Sequence, residues 1–148
     1  MTLHDVETAD RLSRRRARMV TVMALMFLAM QAHYFSMPEV ATRPVDQFKI
    51  AAWLVWALVL LMMLATGGGG LFRRGLRPLM NDETTRAHRQ TAYSYGFWAA
   101  VGTLVGLYVV GMFEPVSGRE AVHVTLSIAI ATAMLMFGKL ERHAMKDG

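Results

Sequence analysis

Four long apolar stretches, about 19–37, 48–66, 92–113 and 121–138, alternate with short polar segments along the chain. Each approaches the roughly 20 residues that a helix needs to cross a hydrocarbon core. The pattern predicts an all-α integral membrane protein with four transmembrane helices in a single domain covering residues 1–148. Before the first stretch, Thr2 and Asp5 have the spacing of a capping box, and Leu3, Val6, Ala9 and Leu12 recur every three residues. That spacing predicts a surface helix running into the first span. Tyr34, Phe35 and Pro38 close this span with interfacial aromatics and a helix breaker.

The loop from Pro38 to Asp46 is long enough to join adjacent antiparallel helices and little more. The second span carries Trp53 and Trp56 and ends in Gly67, Gly68, Gly69 and Gly70, which propagate a helix poorly. Residues 71–90 then form a cytoplasmic loop and helix extension, whose first part alternates arginines with Leu71, Phe72, Leu76 and Leu79 along the membrane surface. Asn81 or Asp82 is the expected N-cap of the third helix, with Glu83 in the first turn, where the helix dipole favours acids. A helix from Asp82 to Phe113 is about 32 residues and roughly 48 Å long, so its start projects beyond a core of about 30 Å. After Glu114 and Pro115, Ser117 and Glu120 make an S-x-x-E capping box that opens the fourth helix.

Charge orients this hairpin pair. Of the 16 Lys and Arg residues, only Arg43, Lys49 and Arg119 fall in or beside the two loops that join spans one to two and three to four. The rest precede the first span (Arg11, Arg14, Arg15, Arg16, Arg18), lie between the second and third (Arg73, Arg74, Arg77, Arg86, Arg89) or follow the fourth (Lys139, Arg142, Lys146). The positive-inside rule therefore places both termini and the middle loop in the cytoplasm of a bacterial inner membrane. The early Asp5, Glu7 and Asp10 argue against a cleavable signal peptide.

A pI near 10.1 raises nucleic acid as a partner. The basic residues crowd the ends of apolar spans, however, where anionic lipid headgroups attract each by about 1 kcal/mol. A lipid bilayer with anionic headgroups is accordingly the expected partner, and direct nucleic-acid binding is not expected. Arg14, Arg15, Arg16, Arg18, Lys139 and Arg142 read as topology anchors. The absence of cysteine removes thiol chemistry.

No nucleophile-base-orienter set or phosphate loop is present, so no enzyme and no cofactor are expected. His33 and His123 have matching predicted depths near the outer ends of the first and fourth spans. If those helices are neighbours, the two can face one another beside Gln31, Thr125 and Glu120, as ligands of a metal or a b-type haem. Histidines at the interface reaching water or headgroups is the preferred reading. Gly102 and Gly106 form a G-x-x-x-G pattern that permits close backbone approach, either to another span of the same chain, which we favour, or to a second copy in a homodimer. The third and fourth spans, both rich in small residues, are expected to pack together. Met19, Met23, Met26 and Met30 on one helical stripe read as adaptable packing. The span cores lack Asp, Glu, Lys and Arg away from their ends, which weighs against proton-coupled transport.

At Asn81, Asp82, Glu83, Thr84 and Arg86 the chain resembles uncharacterised small bacterial four-helix membrane proteins that carry an N-D-E or D-E-x-T-x-x element before the third span. Some of those are associated with helix-turn-helix DNA-binding regulators. The resemblance implies a membrane antagonist that holds such a regulator away from its operator. The leading expectation is thus a non-enzymatic inner-membrane regulatory protein that binds a cytoplasmic protein through Asn81, Asp82, Glu83, Arg86 and Arg89. Arg73, Arg74 and Arg77 place these residues at the surface. A small oligomeric transporter or channel is the alternative, and a haem or metal protein centred on His33 and His123 the third.

Overall fold

A computed structural model of the chain describes residues 3–35, 44–67 and 83–144. Among the described residues there are four helices and no strand: α1 (Leu3–Phe35), α2 (Pro44–Ala65), α3 (Glu83–Val110) and α4 (Gly118–Ala144). The expected lead helix and first span are one continuous element of 33 residues. At about 1.5 Å per residue it is roughly 50 Å long, well beyond a hydrocarbon core.

α2 begins a turn earlier than the loop ending at Asp46 implied, because Pro44 is tolerated in a first helical turn, where its missing N–H would have no intrahelical partner. It stops where glycine was expected to stop it. Gly67 adopts φ 60°, and its N–H donates to the Leu64 carbonyl at 3.1 Å. Only glycine takes up that left-handed conformation without a steric cost. α3 ends at Val110 rather than Phe113. Met112 and Phe113 N–H groups bond to Val109 and Val110 in tighter i→i+3 fashion, unwinding the helix ahead of Pro115. At the start of α4 the expected capping box is formed: Glu120 N–H donates to Ser117 Oγ at 3.2 Å, and Ser117 N–H returns a bond to Glu120 Oε2 at 2.9 Å.

α4 is the hub of the bundle. It packs on α3, α1 and α2, whereas α3 makes its extensive contacts with α4 alone. The inward positions of α4 are His123, Ser127, Ile130, Met134, Phe137 and Glu141, at alternating steps of four and three. α1 answers with Ala17, Val20, Ala24, Phe27 and Gln31 at the same alternation, and Leu60 and Leu64 of α2 fill the space between. A 3.5-residue repeat keeps one stripe facing its neighbour along the whole helix, as in a coiled-coil seam.

Two glycines set the close helix approaches, and neither is the pair expected. A methyl group on Gly96 would lie 3.0 Å from Ala133 Cβ and 3.1 Å from the Ala129 carbonyl, so α3 and α4 touch almost backbone to backbone there. One on Gly138 would lie 2.6 Å from Thr21 Oγ1, where α4 crosses α1. Gly102 and Gly106, expected to pack within the chain, have open space at the Cβ position among the described residues. Both lie on the exposed side of α3. Of the methionine stripe, Met19 and Met23 lie against the core while Met26 and Met30 face outward.

α3 and α4 are the two helices long and apolar enough to cross a membrane among the described residues; α2 contributes a shorter apolar segment, Ile50–Ala65. In the apolar window of α4, 44% of residues are buried, against 6% in α3. Trp98 and Tyr108 of α3, at 66% and 76% exposed, stand out from the protein surface with Leu54, Val55 and Leu58 of α2. Exposed large apolar side chains recur along both helices.

Candidate functional site

The most heavily built polar feature lies at the end of the bundle where α2 and α4 terminate and α3 begins. Arg16 of α1, one of four arginines within five residues, is 2% exposed, whereas Arg14, Arg15 and Arg18 lie on the surface. Its guanidinium forms an ion pair with Glu141 of α4, whose side chain is almost as deeply buried. It also donates to the Gly67 carbonyl at 3.1 Å and to Thr85 Oγ1 at 3.3 Å, while its charged face lies 5.9 Å from the centre of the Phe137 ring. The second carboxylate oxygen of Glu141 lies 3.2 Å from His88 Nδ1 on α3. One arginine and one glutamate thereby join all four helices.

Local sequence explains how each group reaches this point. Arg16 precedes Val20 by four residues and Glu141 follows Phe137 by four, so both continue the inward stripe of their helices beyond its apolar part. Thr85, His88 and Ala92 occupy the matching stripe of α3. The exit of α2 supplies carbonyl groups that a helix end leaves unpaired. Arg16 takes that of Gly67 and Arg89 takes that of Ala65, at 2.5 Å, and both positive charges meet the negative pole of the α2 dipole. A buried guanidinium is tolerated when its charge and its terminal N–H groups are answered in this way.

The interpretation of Arg16 as a surface anchor is therefore corrected. Its position in the basic run follows the positive-inside pattern, but its side chain is structural. Arg89 is half-buried and turned onto α2, so it is less exposed than a docking residue was expected to be. Glu83 and Arg86 remain exposed on the other side of α3. Asn81, Asp82, Arg73, Arg74 and Arg77 lie outside the described residues. Glu141 had no expected role; its signal is a lone acid seven residues after Met134 and four after Phe137, in step with an apolar stripe.

A second polar cluster occupies the opposite end of the seam. His123 donates from Nε2 to Gln31 Oε1 at 2.5 Å, and its ring stacks on Trp53 with centroids 4.4 Å apart. α1 and α4 are thus neighbours, the condition on which Gln31 was placed near His123, and the two side chains meet. The His33 side chain lies outside the described residues. No group of three or more metal-binding side chains is found among the described residues. With one nitrogen on Gln31 and its face on Trp53, His123 has a packing role that accounts for its position. Between the two clusters, Phe27, Leu60, Met134 and Phe137 fill the interior.

Glu120, outside this seam, has its carboxyl held below the ordinary value, first by the Ser117 hydroxyl and then by the Ser117 backbone N–H, with a small opposing effect of burial. Comparison with protein families, with curated proteins and with solved structures returned no match.

Proposed function

We propose that the chain is a four-span protein of the bacterial inner membrane with both termini cytoplasmic, and that its cytoplasmic end is a non-enzymatic platform for a soluble protein partner. The supporting observation is the coincidence of the buried clamp with the arginine-rich end of the bundle. Arg16, Glu141, His88, Thr85 and the end of α2 hold four helices in fixed relation there. The same turns of α3 present Glu83, Thr84, Arg86 and Gln90 outward. Charged side chains on a rigid helix bind with less loss of conformational freedom than the same groups on a loop.

The exposed apolar faces of α2 and α3 favour a membrane location, since lipid covers what water would penalise. A DNA-binding transcription regulator is the partner class suggested by the N-D-E-x-T element, and sequestration at the membrane is the mode of action it suggests. A conducting path through one chain would have to cross the apolar layer of Phe27, Leu60, Met134 and Phe137, so the transporter alternative requires a path between copies.

Photo-crosslinking from a residue analogue at Thr84 in native membranes tests the platform. A discrete soluble protein is expected, lost in Glu83→Lys/Arg86→Glu and retained in Arg119→Glu. Identical capture in all three forms, or none in the wild type, would overturn it.

A further inference from the structure

A groove of about 370 Å³ lies between α1 and α4 beside the clamp, lined by Thr21, Leu135, Lys139, Arg142 and His143. The four α4 residues have the spacing of one helical face, with Leu135 toward the middle of the bundle and the basic residues toward the helix end. Thr21, which lines it, is also where α4 crosses α1 closely at Gly138. Thr21 Oγ1 donates to the Ala17 carbonyl at 3.0 Å, leaving the hydroxyl oxygen's remaining lone pair beside the groove.

We propose that this groove binds the phosphate headgroup of an anionic phospholipid. Lys139 and Arg142 meet the phosphodiester charge, and the acyl chains leave along Leu135. A guanidinium and an ammonium on one helix face suit a phosphate, the first as a fork of N–H donors and the second as a point charge. An apolar side chain directly below them suits an amphiphile better than a free anion. Basic pockets between spans on the cytoplasmic side are built for such headgroups. This assignment rests on the membrane reading above. It differs from general attraction to an anionic surface in naming one position that a lipid occupies.

Native mass spectrometry of the full chain, released from vesicles of phosphatidylglycerol and phosphatidylcholine, tests it. One phosphatidylglycerol is expected to stay bound to the wild type and to Lys139→Arg/Arg142→Lys. Its occupancy should fall at least tenfold in Lys139→Gln/Arg142→Gln, but not in Arg15→Gln/Arg18→Gln, which removes equal charge. Equal lipid retention in both charge-removing variants, or equal loss, overturns the site. Displacement of the lipid by inorganic phosphate overturns the lipid assignment, because a simple anion would then suffice. Alkaline carbonate extraction of the same membranes separates the two levels: a chain that washes off refutes the membrane reading, whereas an inserted chain without site-specific lipid refutes the groove alone.

Discussion

Replacing Glu141 with leucine should be among the most damaging single changes in the protein. The side chains of Arg16 and Glu141 are 3% and 6% exposed, so the guanidinium left behind has little access to water. Removing one member of a buried ion pair typically costs about 3–5 kcal/mol, because the survivor keeps its desolvation penalty without its partner. Gly67 and Thr85 still accept from Arg16, and neutral acceptors recover only part of the loss. For a chain of this size about 1 kcal/mol corresponds to roughly 2–4 °C in Tm, so a fall of roughly 6–20 °C is expected. Arg16→Met in the same background removes the stranded charge. The double variant should recover much of the deficit, since an apolar pair of similar volume often matches a buried ion pair. The assay is thermal unfolding of the four forms in one detergent, read as a double-mutant cycle. A Tm change under about 3 °C for Glu141→Leu, or strictly additive effects, would show that the two residues are not a buried pair.

The glycines give an independent check on helix packing. Gly96→Ala should destabilise by about 1–3 kcal/mol because the new methyl meets the Ala129 carbonyl and Ala133, while Gly102→Ala and Gly106→Ala should be neutral or stabilising by up to about 1 kcal/mol. Gly138→Ala should be destabilising, and Thr21→Ala should relieve it by removing the hydroxyl 2.6 Å from the added carbon; no rescue refutes that crossing. The Glu120 carboxyl, lowered in the folded chain, stabilises the start of α4 fully above the ordinary carboxylate pKa, and this contribution disappears as pH falls through the lower folded value. Amide protection at residues 118–121, taken relative to the intrinsic exchange rate at each pH, should therefore fall on acidification in the wild type and be low at all pH values in Glu120→Ala. Because the chain has no cysteine, single cysteines report topology without background: Thr84→Cys should resist an impermeant maleimide added outside spheroplasts and Gly118→Cys should react. The opposite labelling would invert the proposed orientation.

Helical class, the Ser117–Glu120 box and the glycine stop after α2 were legible along the chain because each depends on neighbours within a few residues. Pairing of α3 with α4 was legible too, since small residues on both helices let their backbones approach closely. Arg16 was not. Within Arg14, Arg15, Arg16 and Arg18 nothing local distinguishes the buried member, and its burial depends on Glu141, 125 residues away. The open space at Gly102 and Gly106 has the same origin. A small-residue motif states that a backbone can be approached, and the bundle uses Gly96 and Gly138 because α4 passes there.

By itself the sequence determined where chain polarity changes, and through it the helices and the basic end of the bundle, because periodicity and capping are short-range physics. Only tertiary structure decided that α4 is the hub, that one arginine of a basic run becomes the buried joint of four helices, and that Lys139 and Arg142 border a groove on α1. Those outcomes depend on which stripe of each helix meets which other, and a charge acquires its meaning there from partners far away in the chain.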